Sequence, residues 1–353
     1  MIGSLVYNDY KDLFKKNRIS TTRDFENQIQ PSSIDLSLSE ECYEIKCSFL
    51  SPYSKVRDKL DELIVKKINL NHSKIFKKNK TYLVRLNEFL NLENNVKGYC
   101  NPKSSTGRLD IFCRTILDNC DEYEKIPSNY QGEMFIEITT RSFDVEFIAG
   151  DKLNQMRLVY KKNYYIEDNA LRKINDFDPI IYNSNLAIID NGLKISVDLS
   201  TNNNICSYRA KENTPVLNFS KVNYHDKNKY WDELNTKNNC LIIERNKFYI
   251  LKSKEKIRIP KNMAGEMIPY DTGIGDFRVH YAGFFDPGFG DPGGSYAVLE
   301  VKTQEVPFLL EDGQTIARIK YEKLNKNTSV VYGTSINSNY QNQKLALSKH
   351  FIC

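Results

Sequence analysis

The chain has 353 residues, a length that suggests about two domains at roughly 150 residues each. Lys and Arg number 50 and Asp and Glu 45, and the net charge of +5 is too small to predict binding to a nucleic acid polymer. With 40% hydrophobic and 27% charged residues, the chain is expected to fold around a core. No apolar run reaches the ~18–20 residues that span a bilayer, and the N-terminal stretch lacks the features of a secretory signal. We therefore expect a cytoplasmic protein without a membrane partner.

The spacing of the eight cysteines and four histidines disfavours a zinc site. None of the cysteines forms a Cys-x-x-Cys pair, and none of the histidines lies in a His-x-Glu or His-Glu-x-x-His motif, which are spacings that hold zinc in many enzymes. In a cytoplasmic chain of this size, reduced and partly buried cysteines are expected rather than disulfides. We therefore predict no metal bound by the protein itself.

The residue pattern along the chain predicts a mainly β protein. Helical periodicity is largely confined to the first ~20 residues and to the residues around 230–234. Most other segments are short, rich in Tyr, Phe, Ile and Val, and alternate with the period of a strand; examples are residues 80–86, 134–139, 143–148, 249–259 and 296–303. Many short strands separated by turn residues are typical of an all-β sandwich or barrel.

The two halves of the chain repeat the same unit. Three sets of residues in the first half recur in the same order in the second half. Residues 33–37 match 196–200. The set Tyr82, Gly98 and Pro102 matches Tyr249, Gly265 and Pro269, and the pair Glu137 and Gly150 matches Glu300 and Gly313. Such ordered matches indicate a tandem duplication. We predict a first domain at 1–165, a second at 166–330, and a tail at 331–353.

A short polar loop in the first half has the composition of a phosphate-binding element. Residues 101–108 (NPKSSTGR) place two cations, Lys103 and Arg108, around two adjacent hydroxyls, Ser104 and Ser105. Arg can give forked hydrogen bonds to phosphate, and a kinked backbone supplies further donors. By composition alone, an ordinary polar turn is the alternative interpretation.

Glu137 is the candidate acid–base group of the first half. It lies in an apolar strand and shares a face with Phe135, so the alternation points it inward. An inward carboxylate without a cation has a raised pKa and could serve as a general base or acid. A solvent-facing Glu on an edge strand is the alternative.

Taken together, these motifs resemble the two-domain dCTP deaminase family of the dUTPase-like superfamily. The family's Pro-Arg-Ser-Ser-x-x-Arg loop is similar to residues 102–108, its Gly-x-x-x-x-Glu strand to Gly132–Glu137, and its Gln-Pro-x-Ser-x-Asp-Leu strand to residues 30–36. Its Tyr-Gln-x-Gln tail, which folds over the nucleotide, resembles residues 340–343, with Tyr332 upstream, so the resemblance implies that the tail at 331–353 is an active-site lid. The resemblance implies an all-β fold, a tandem pair of dUTPase-like distorted, jelly-roll-like β-barrels with a few short helices.

The resemblance also implies a reaction, a hydrolysis of dCTP to dUTP and ammonia that feeds dUMP and dTTP synthesis. Glu137 would take a proton from the water that attacks cytosine C4. Ser104 would position that water or the exocyclic group, and Arg108 would hold Glu137 and the phosphates. Mg²⁺ would arrive with the triphosphate, no zinc would be needed, and the chain would form a homotrimer or another multiple of three. The implied nucleotide contacts are Lys103, Ser104, Ser105, Thr106, Gly107, Arg108, Phe135, Ile136, Tyr332, Tyr340 and Gln343.

Departures from the family pattern leave alternatives open. Lys103 stands where the family loop usually has Arg, and Pro127 stands where dUTPase relatives have a water-activating Asp, which argues against dUTP hydrolysis at this site. In the second half, residues 269–275 lack the cation, first Ser and Arg of the first loop, so that half is predicted to lack a complete site. A composite site, in which the first loop faces Asp286 and Glu300, is one alternative.

Another alternative is that the acidic residues of the second half, with His280, bind a metal or a second ligand; the set is Asp271, Asp286 and Glu300. The competing functions are a dUTPase or bifunctional dCTP deaminase–dUTPase, and a non-catalytic nucleotide-binding protein. The choice between dCTP and dCMP, and feedback by dTTP, remain open at this point.

Overall fold

The computed structural model describes residues 2–162, 164–182, 187–200, 205–236, 238–269, 277–280, 283–333 and 340–352, with the backbone alone for 269 and 277–280. Most of the second half's loop at 269–275, including Asp271, lies outside this set. The metal alternative that uses Asp271 and the His280 side chain therefore also lies outside the described residues. Among the described residues, no helix is long and apolar enough to cross a membrane.

The first half is built from short strands and three short α-helices. The strands are β1 (Gly3–Ser4), β2 (Ile19–Ser20), β3 (Ile34–Leu36), β4 (Leu38–Ile45), β5 (Ile64–Asn69), β6 (Lys74–Phe76), β7 (Thr81–Asn91), β8 (Val96–Pro102), β9 (Ile111–Leu117), β10 (Lys125–Ile126), β11 (Gln131–Thr140), β12 (Val145–Phe147) and β13 (Asn154–Tyr160). The helices are α1 (Tyr7–Lys15), α2 (Leu60–Leu63) and α3 (Ser104–Gly107), with a 3₁₀ turn at Val56–Lys59.

The second half opens with helix α4 (Asp168–Phe177) and is otherwise built from strands, apart from a 3₁₀ turn at Lys227–Lys229. Its strands are β14 (Leu193–Ser196), β15 (Ser207–Ala210), β16 (Leu217–Asn218), β17 (His225–Asp226), β18 (Trp231–Leu234), β19 (Cys240–Ile243), β20 (Phe248–Ile257), β21 (Met263–Pro269), β22 (Phe277–His280), β23 (Phe284–Phe285), β24 (Ser295–Thr303), β25 (Phe308–Glu311), β26 (Thr315–Lys323) and β27 (Phe351–Ile352).

The two halves have the same strand order in their larger sheets. One sheet runs β5-β4-β7-β11-β9 in the first half and β18-β15-β20-β24-β22 in the second. The other runs β1-β13-β8-β10 and β14-β26-β21-β23. The residue register agrees, because Glu137 lies opposite Leu83 and Glu300 opposite Ile250, which are equivalent positions of the repeat. The predicted all-β fold of two similar units is confirmed.

Strand alternation explains why these segments pair. In β8, buried residues alternate with half-buried ones along the whole strand, as expected for a sheet with one face on a core. The long strands predicted at 80–86, 134–139, 249–259 and 296–303 are present. The helical prediction around 230–234 is wrong, because Trp231 begins strand β18 and its ring packs against Phe143 and Phe351.

Buried polar contacts join the halves. Arg157 and Glu322, both almost fully buried, form an ion pair of 2.7 Å, and Ser4 donates a hydrogen bond to the same carboxylate. Lys302 of the second half pairs with buried Asp110 of the first at 2.9 Å. Strand β16 of the second half also adds in parallel to β12 of the first. These contacts fix which residues of one half face the other.

Candidate active site between the halves

A cavity of about 390 Å³ lies between the two halves, and we call it the shared cavity. Residues of the first half line one side, residues of the second half line another, and the tail contributes a third. The charged and hydrogen-bonding residues around it include Asp35, Lys103, Ser104, Arg108, Asp151, Lys152, Asp286, Glu300, Tyr332, Tyr340, Gln343, Lys349 and His350. The structure therefore brings the predicted phosphate loop together with the predicted tail residues.

The phosphate loop, residues 102–108, owes its shape to a single helical turn. Pro102 ends β8, Lys103 is extended, and α3 then turns the chain, with the Arg108 amide donating to the Ser104 carbonyl at 3.1 Å. The Thr106 hydroxyl donates to the Leu153 carbonyl at 2.8 Å and fixes the turn to the first half. As a result, Ser104 is exposed on the cavity side.

Arg108 links the phosphate loop to the tail. Its guanidinium is almost fully buried and donates to the Gln343 side-chain oxygen at 2.8 Å and to the Ala346 carbonyl at 3.2 Å. It also lies 3.9 Å from the centre of the Tyr340 ring, a cation–π distance. Tyr340 and Gln343, which were predicted to contact the nucleotide, are thus placed at the cavity by Arg108.

Glu300 is the buried carboxyl group of the cavity. It lies on β24, is 6% exposed and shares a strand face with Val298, which also lines the cavity. Burial raises the pKa of Glu300 to about 8, and the positive charge of Arg108 only partly opposes this shift. The group can therefore change protonation state near neutral pH.

Asp286 is a second carboxyl group of this kind. It follows β23 in the turn 285–289, and its carboxylate accepts a hydrogen bond of 2.9 Å from the Ser32 amide of the first half. Burial raises the pKa of Asp286 to about 7; the negative charge of Asp35 adds to the rise, while the Ser32 hydrogen bond and Lys103 oppose it. The composite-site alternative, with the first loop facing Asp286 and Glu300, is the arrangement that the structure shows.

Glu137 is placed elsewhere. It is 2% exposed, accepts a hydrogen bond of 2.7 Å from Arg114, and is not among the described residues that line the shared cavity. Arg108, which was expected to hold Glu137, instead binds the tail. The structure therefore brings the loop of the first half together with Glu300 of the second half, and it does not place Glu137 at this cavity.

Several predicted nucleotide contacts also point away from the cavity. Phe135 and Ile136 are fully buried in the hydrophobic clusters of the first half, since β11 is a central strand. Thr106 and Gly107 are buried within the loop and are not among the residues that line the cavity. Ser105 is also buried but does line the cavity, and its carbonyl accepts a hydrogen bond from Ser348 of the tail at 2.8 Å. These three residues shape the loop.

Lys152 and Lys349 are cavity cations that sequence reasoning missed. They lie with Lys103, which forms an ion pair with Asp35. Burial lowers the pKa of Lys349, and the charge of Lys103 lowers it further; burial and Lys103 also lower the pKa of Lys152, which Asp35 opposes. Three lysines gathered at one end of a cavity favour an anionic ligand there.

Tyr332 holds the start of the tail against the turn that carries Asp286. Its amide donates to the Pro287 carbonyl at 2.9 Å. The turn needs glycine at this point, because Gly288 has a φ of +92° and an added Cβ would lie 2.1 Å from the Val331 side chain. The predicted site residue Tyr332 therefore lies at the cavity.

The fold and the cavity together define a class of protein: a duplicated all-β enzyme whose shared cavity combines cations for an anionic substrate with carboxyl groups for acid–base chemistry. Comparison with known families makes this specific. Residues 1–162 match the 2'-deoxycytidine 5'-triphosphate deaminase N-terminal domain, and residues 167–351 match the C-terminal domain of the same family. The chain belongs to the 2'-deoxycytidine 5'-triphosphate deaminase family.

A solved structure agrees with this assignment. The crystal structure of 2'-deoxycytidine 5'-triphosphate deaminase from Agrobacterium tumefaciens is similar to this chain with a TM-score of 0.90 and 36% sequence identity, covering 95% of this chain and 99% of that one. None of the curated proteins compared with the chain matches it. The family resemblance read from the sequence is confirmed, and so is the prediction of a hydrolytic deaminase; the non-catalytic alternative is set aside.

Proposed function

We propose that dCTP is deaminated in the shared cavity with Glu300, rather than Glu137, as the acid–base residue. The convergence of Glu300, Arg108 and Ser104 in one cavity carries this proposal. The ionised Glu300 takes a proton from water, and the resulting hydroxide attacks cytosine C4. Glu300 passes this proton to N3, then takes the proton of the new C4 hydroxyl and gives it to the exocyclic amine. Ammonia leaves as C4 becomes a carbonyl, so that dCTP and water give dUTP and ammonia.

The cations place the triphosphate. Lys103, Lys152 and Lys349 neutralise the phosphates, and exposed Ser104 adds a hydroxyl donor. Mg²⁺ comes as part of the substrate complex. The residues fit it, because the Asp35 Oδ1 atom is buried without a hydrogen-bond partner among the described atoms and can accept a hydrogen bond from magnesium-bound water.

Asp286 supports a second candidate function, a bifunctional dCTP deaminase–dUTPase. The first half has Pro127 at the position of the water-activating Asp, but the facing turn of the second half supplies Asp286 to the same cavity. A carboxylate with a pKa of about 7 can activate a water for attack on a phosphate. The released products separate the two functions.

The test is to incubate the purified chain with dCTP and Mg²⁺, to measure ammonia, and to resolve the nucleotides by chromatography. We expect ammonia and dUTP in equal amounts. Formation of dUMP and pyrophosphate would establish the bifunctional alternative, and a parallel incubation with dCMP tests the need for the triphosphate. A native protein that releases no ammonia from dCTP would refute the proposal.

We further propose a cytoplasmic homo-oligomer, in multiples of three, without nucleic acid or membrane partners. The reduced state of the cysteines supports the compartment, since the seven cysteines of the described region are all free. Light scattering of the purified protein tests the assembly. A monomer at micromolar concentration would contradict it.

A further inference from the structure

A second cavity adjoins the tail. It has a volume of about 660 Å³ and is lined by Tyr208, Lys252, Lys256, Gly293, Gly294, Tyr296, Asn342, Gln343 and Lys344, among others. Of the described lining residues, three are lysines and none is acidic. Gln343 lines both this cavity and the shared cavity. The two cavities are therefore neighbours that share one tail residue.

The lysines of the second cavity converge on an aromatic ring. The Lys252 ammonium lies 4.6 Å and the Lys256 ammonium 5.4 Å from the centre of the Tyr296 ring. Lys252 also pairs with buried Asp198. Three lysines around a cavity whose described lining contains no acidic residue favour a bound anion there.

In the first half, the positions equivalent to those of the second cavity carry both positive and negative charges. By strand register, Arg85 is equivalent to Lys252, and Glu133 is equivalent to Tyr296. In the first half, Glu133 and Glu41 neutralise Arg57 and Arg85, with contacts of 2.6 to 3.9 Å.

The second half has different residues at these charged positions. Tyr296 replaces the Glu133 carboxylate, Cys206 stands at the register position of Glu41, and Lys256 stands at the position of Phe89. These three exchanges each remove a negative charge or add a positive one. At these register positions the second half is therefore more positive than the first, with Lys252 compensated by Asp198.

The loop beside the lysines approaches them closely. Gly294 has a φ of +75°, and an added Cβ would lie 2.8 Å from Lys256 Cβ, whereas a Cβ on neighbouring Gly293 would meet no atom within 4 Å. Gly294 thus allows the loop to pack against the Cβ atom of Lys256, while the space beside Gly293 remains open.

We propose that the second cavity is a binding site for a small phosphate-bearing anion, distinct from the substrate site. The phosphate is held between Lys256 on the barrel and Lys344 on the tail, with Lys252 and the Tyr296 ring at its side. Because such an anion bridges barrel and tail, it stabilises the docked tail. The Gln343 side chain couples the docked tail to the shared cavity. Its oxygen accepts a hydrogen bond from Arg108 at 2.8 Å, and its nitrogen donates one to the Tyr296 carbonyl at 2.9 Å.

The experiment is calorimetric titration of the full chain with inorganic pyrophosphate at low ionic strength. We expect two equivalents to bind, one in each cavity. The double variant Lys256→Gln/Lys344→Gln, and separately Tyr296→Glu, which restores the first half's charge, should weaken one equivalent by about tenfold or more. The matched control is Lys323→Gln, an exposed lysine that lies 4.7 Å from the Tyr164 ring outside both cavities and should bind as the native protein does.

Variants of the substrate cavity distinguish this site from the proposed function. Lys103→Gln/Lys349→Gln should remove the other equivalent and keep this one, and in that background pyrophosphate should slow hydrogen exchange at residues 340–345. Thermal unfolding confirms that each variant is folded. Pyrophosphate binding by Lys256→Gln/Lys344→Gln within about twofold of the native protein would overturn the proposal, as would a single equivalent that disappears with Lys103 and Lys349.

Discussion

Two glutamates at the same position of the repeat have different neighbours. The residue opposite Glu137 on the adjoining strand is Arg114, whereas the residue opposite Glu300 is His280. Arg114 binds the Glu137 carboxylate at 2.7 Å and packs 3.7 Å from the centre of the Tyr123 ring. The two glutamates are therefore equivalent in the repeat but differ in their surroundings, since Glu137 is held by a guanidinium and Glu300 lines the shared cavity.

Substitution of the two glutamates separates these roles. We expect Glu300→Gln to lower the rate of ammonia release from dCTP by about 10²–10⁴-fold or more, because the amide cannot accept the proton of water. Glu137→Gln should keep the rate within a few-fold of the native value. It should lower the free energy of unfolding by roughly 1–3 kcal/mol, because Arg114 loses its charged partner.

Ammonia assays and thermal unfolding of both variants give the two readouts. An unchanged rate in Glu300→Gln, or a loss of activity in folded Glu137→Gln, would assign the chemistry to the first half. The isosteric change from carboxylate to amide keeps the shape of each side chain, so each variant is the other's control.

The pH dependence of the reaction follows from the raised pKa of Glu300. Its active form is the carboxylate, so protonation below a pKa of about 8 removes the base. We expect kcat/KM for dCTP to rise with pH and to level off above about pH 8. Asp286→Asn is the control. It removes the other cavity carboxyl group with a raised pKa and should leave the rise of kcat/KM with pH unchanged. A rate that is flat from pH 6 to 9 would contradict the role of Glu300.

At the scale of elements, the tail has a segment at the cavity, which we propose acts as a lid, and a C-terminal anchor. Tyr340 and Gln343 contact Arg108, and eight residues after Gln343 Phe351 lies fully buried on β27, paired with His225 on β17. Its ring centre is 5.3 Å from Tyr230, within a cluster of aromatic rings. The position of the lid therefore depends on how well its C-terminal end is packed.

Truncation of this anchor should affect substrate binding. We expect Phe351→Ala to lower the free energy of unfolding by about 3–5 kcal/mol and to raise KM for dCTP more than it lowers kcat, because the tail residues that face the substrate become less ordered. The control is Ile352→Ala, whose side chain is 52% exposed. Steady-state kinetics and thermal unfolding measure both effects, and a normal KM in Phe351→Ala would show that the lid holds its position without the anchor.

Secondary structure could be predicted for long strands. It could not be predicted for segments whose conformation depends on tertiary packing. The strands around Glu137 and Glu300 are ten and nine residues long and rich in apolar and β-branched residues, so they could be predicted from the sequence. The segment 230–234 is too short for its periodicity to distinguish a helix from a strand. Pairing with Arg209 and its neighbours on the adjoining strand makes residues 231–234 a strand. Helix α4 was missed because only Leu171 is buried, so its apolar face is narrow.

The candidate site could be predicted in part for a related reason. The phosphate loop and the tail carry their motifs in consecutive residues, and both were found. Lys152 and Lys349 carry no motif and become site residues only through their position beside Lys103. A duplicated sequence shows which residues are equivalent, but it does not show which half's carboxylate faces which half's loop.

At the scale of the whole molecule, the placement of the halves makes the site. The pairs Arg157–Glu322 and Lys302–Asp110 join residues more than 160 positions apart, and both are buried. Breaking a buried pair leaves an uncompensated charge, so these contacts favour one arrangement of the halves over others. In that arrangement, the loop that carries Arg108 and the strand that carries Glu300 belong to one chain.

Mixing two inactive variants tests whether the site is formed within one chain. Arg108→Gln should disable the loop, and Glu300→Gln should disable the facing strand. If the cavity is built within each chain, heteromers of the two variants contain no intact site, and we expect ammonia release no higher than the average of the separate variants. The two variants are co-expressed with different tags and purified through both, so that only mixed assemblies are assayed. A site shared between chains would instead regain a large fraction of native activity in these heteromers, and that recovery would show that the loop of one chain works with Glu300 of another.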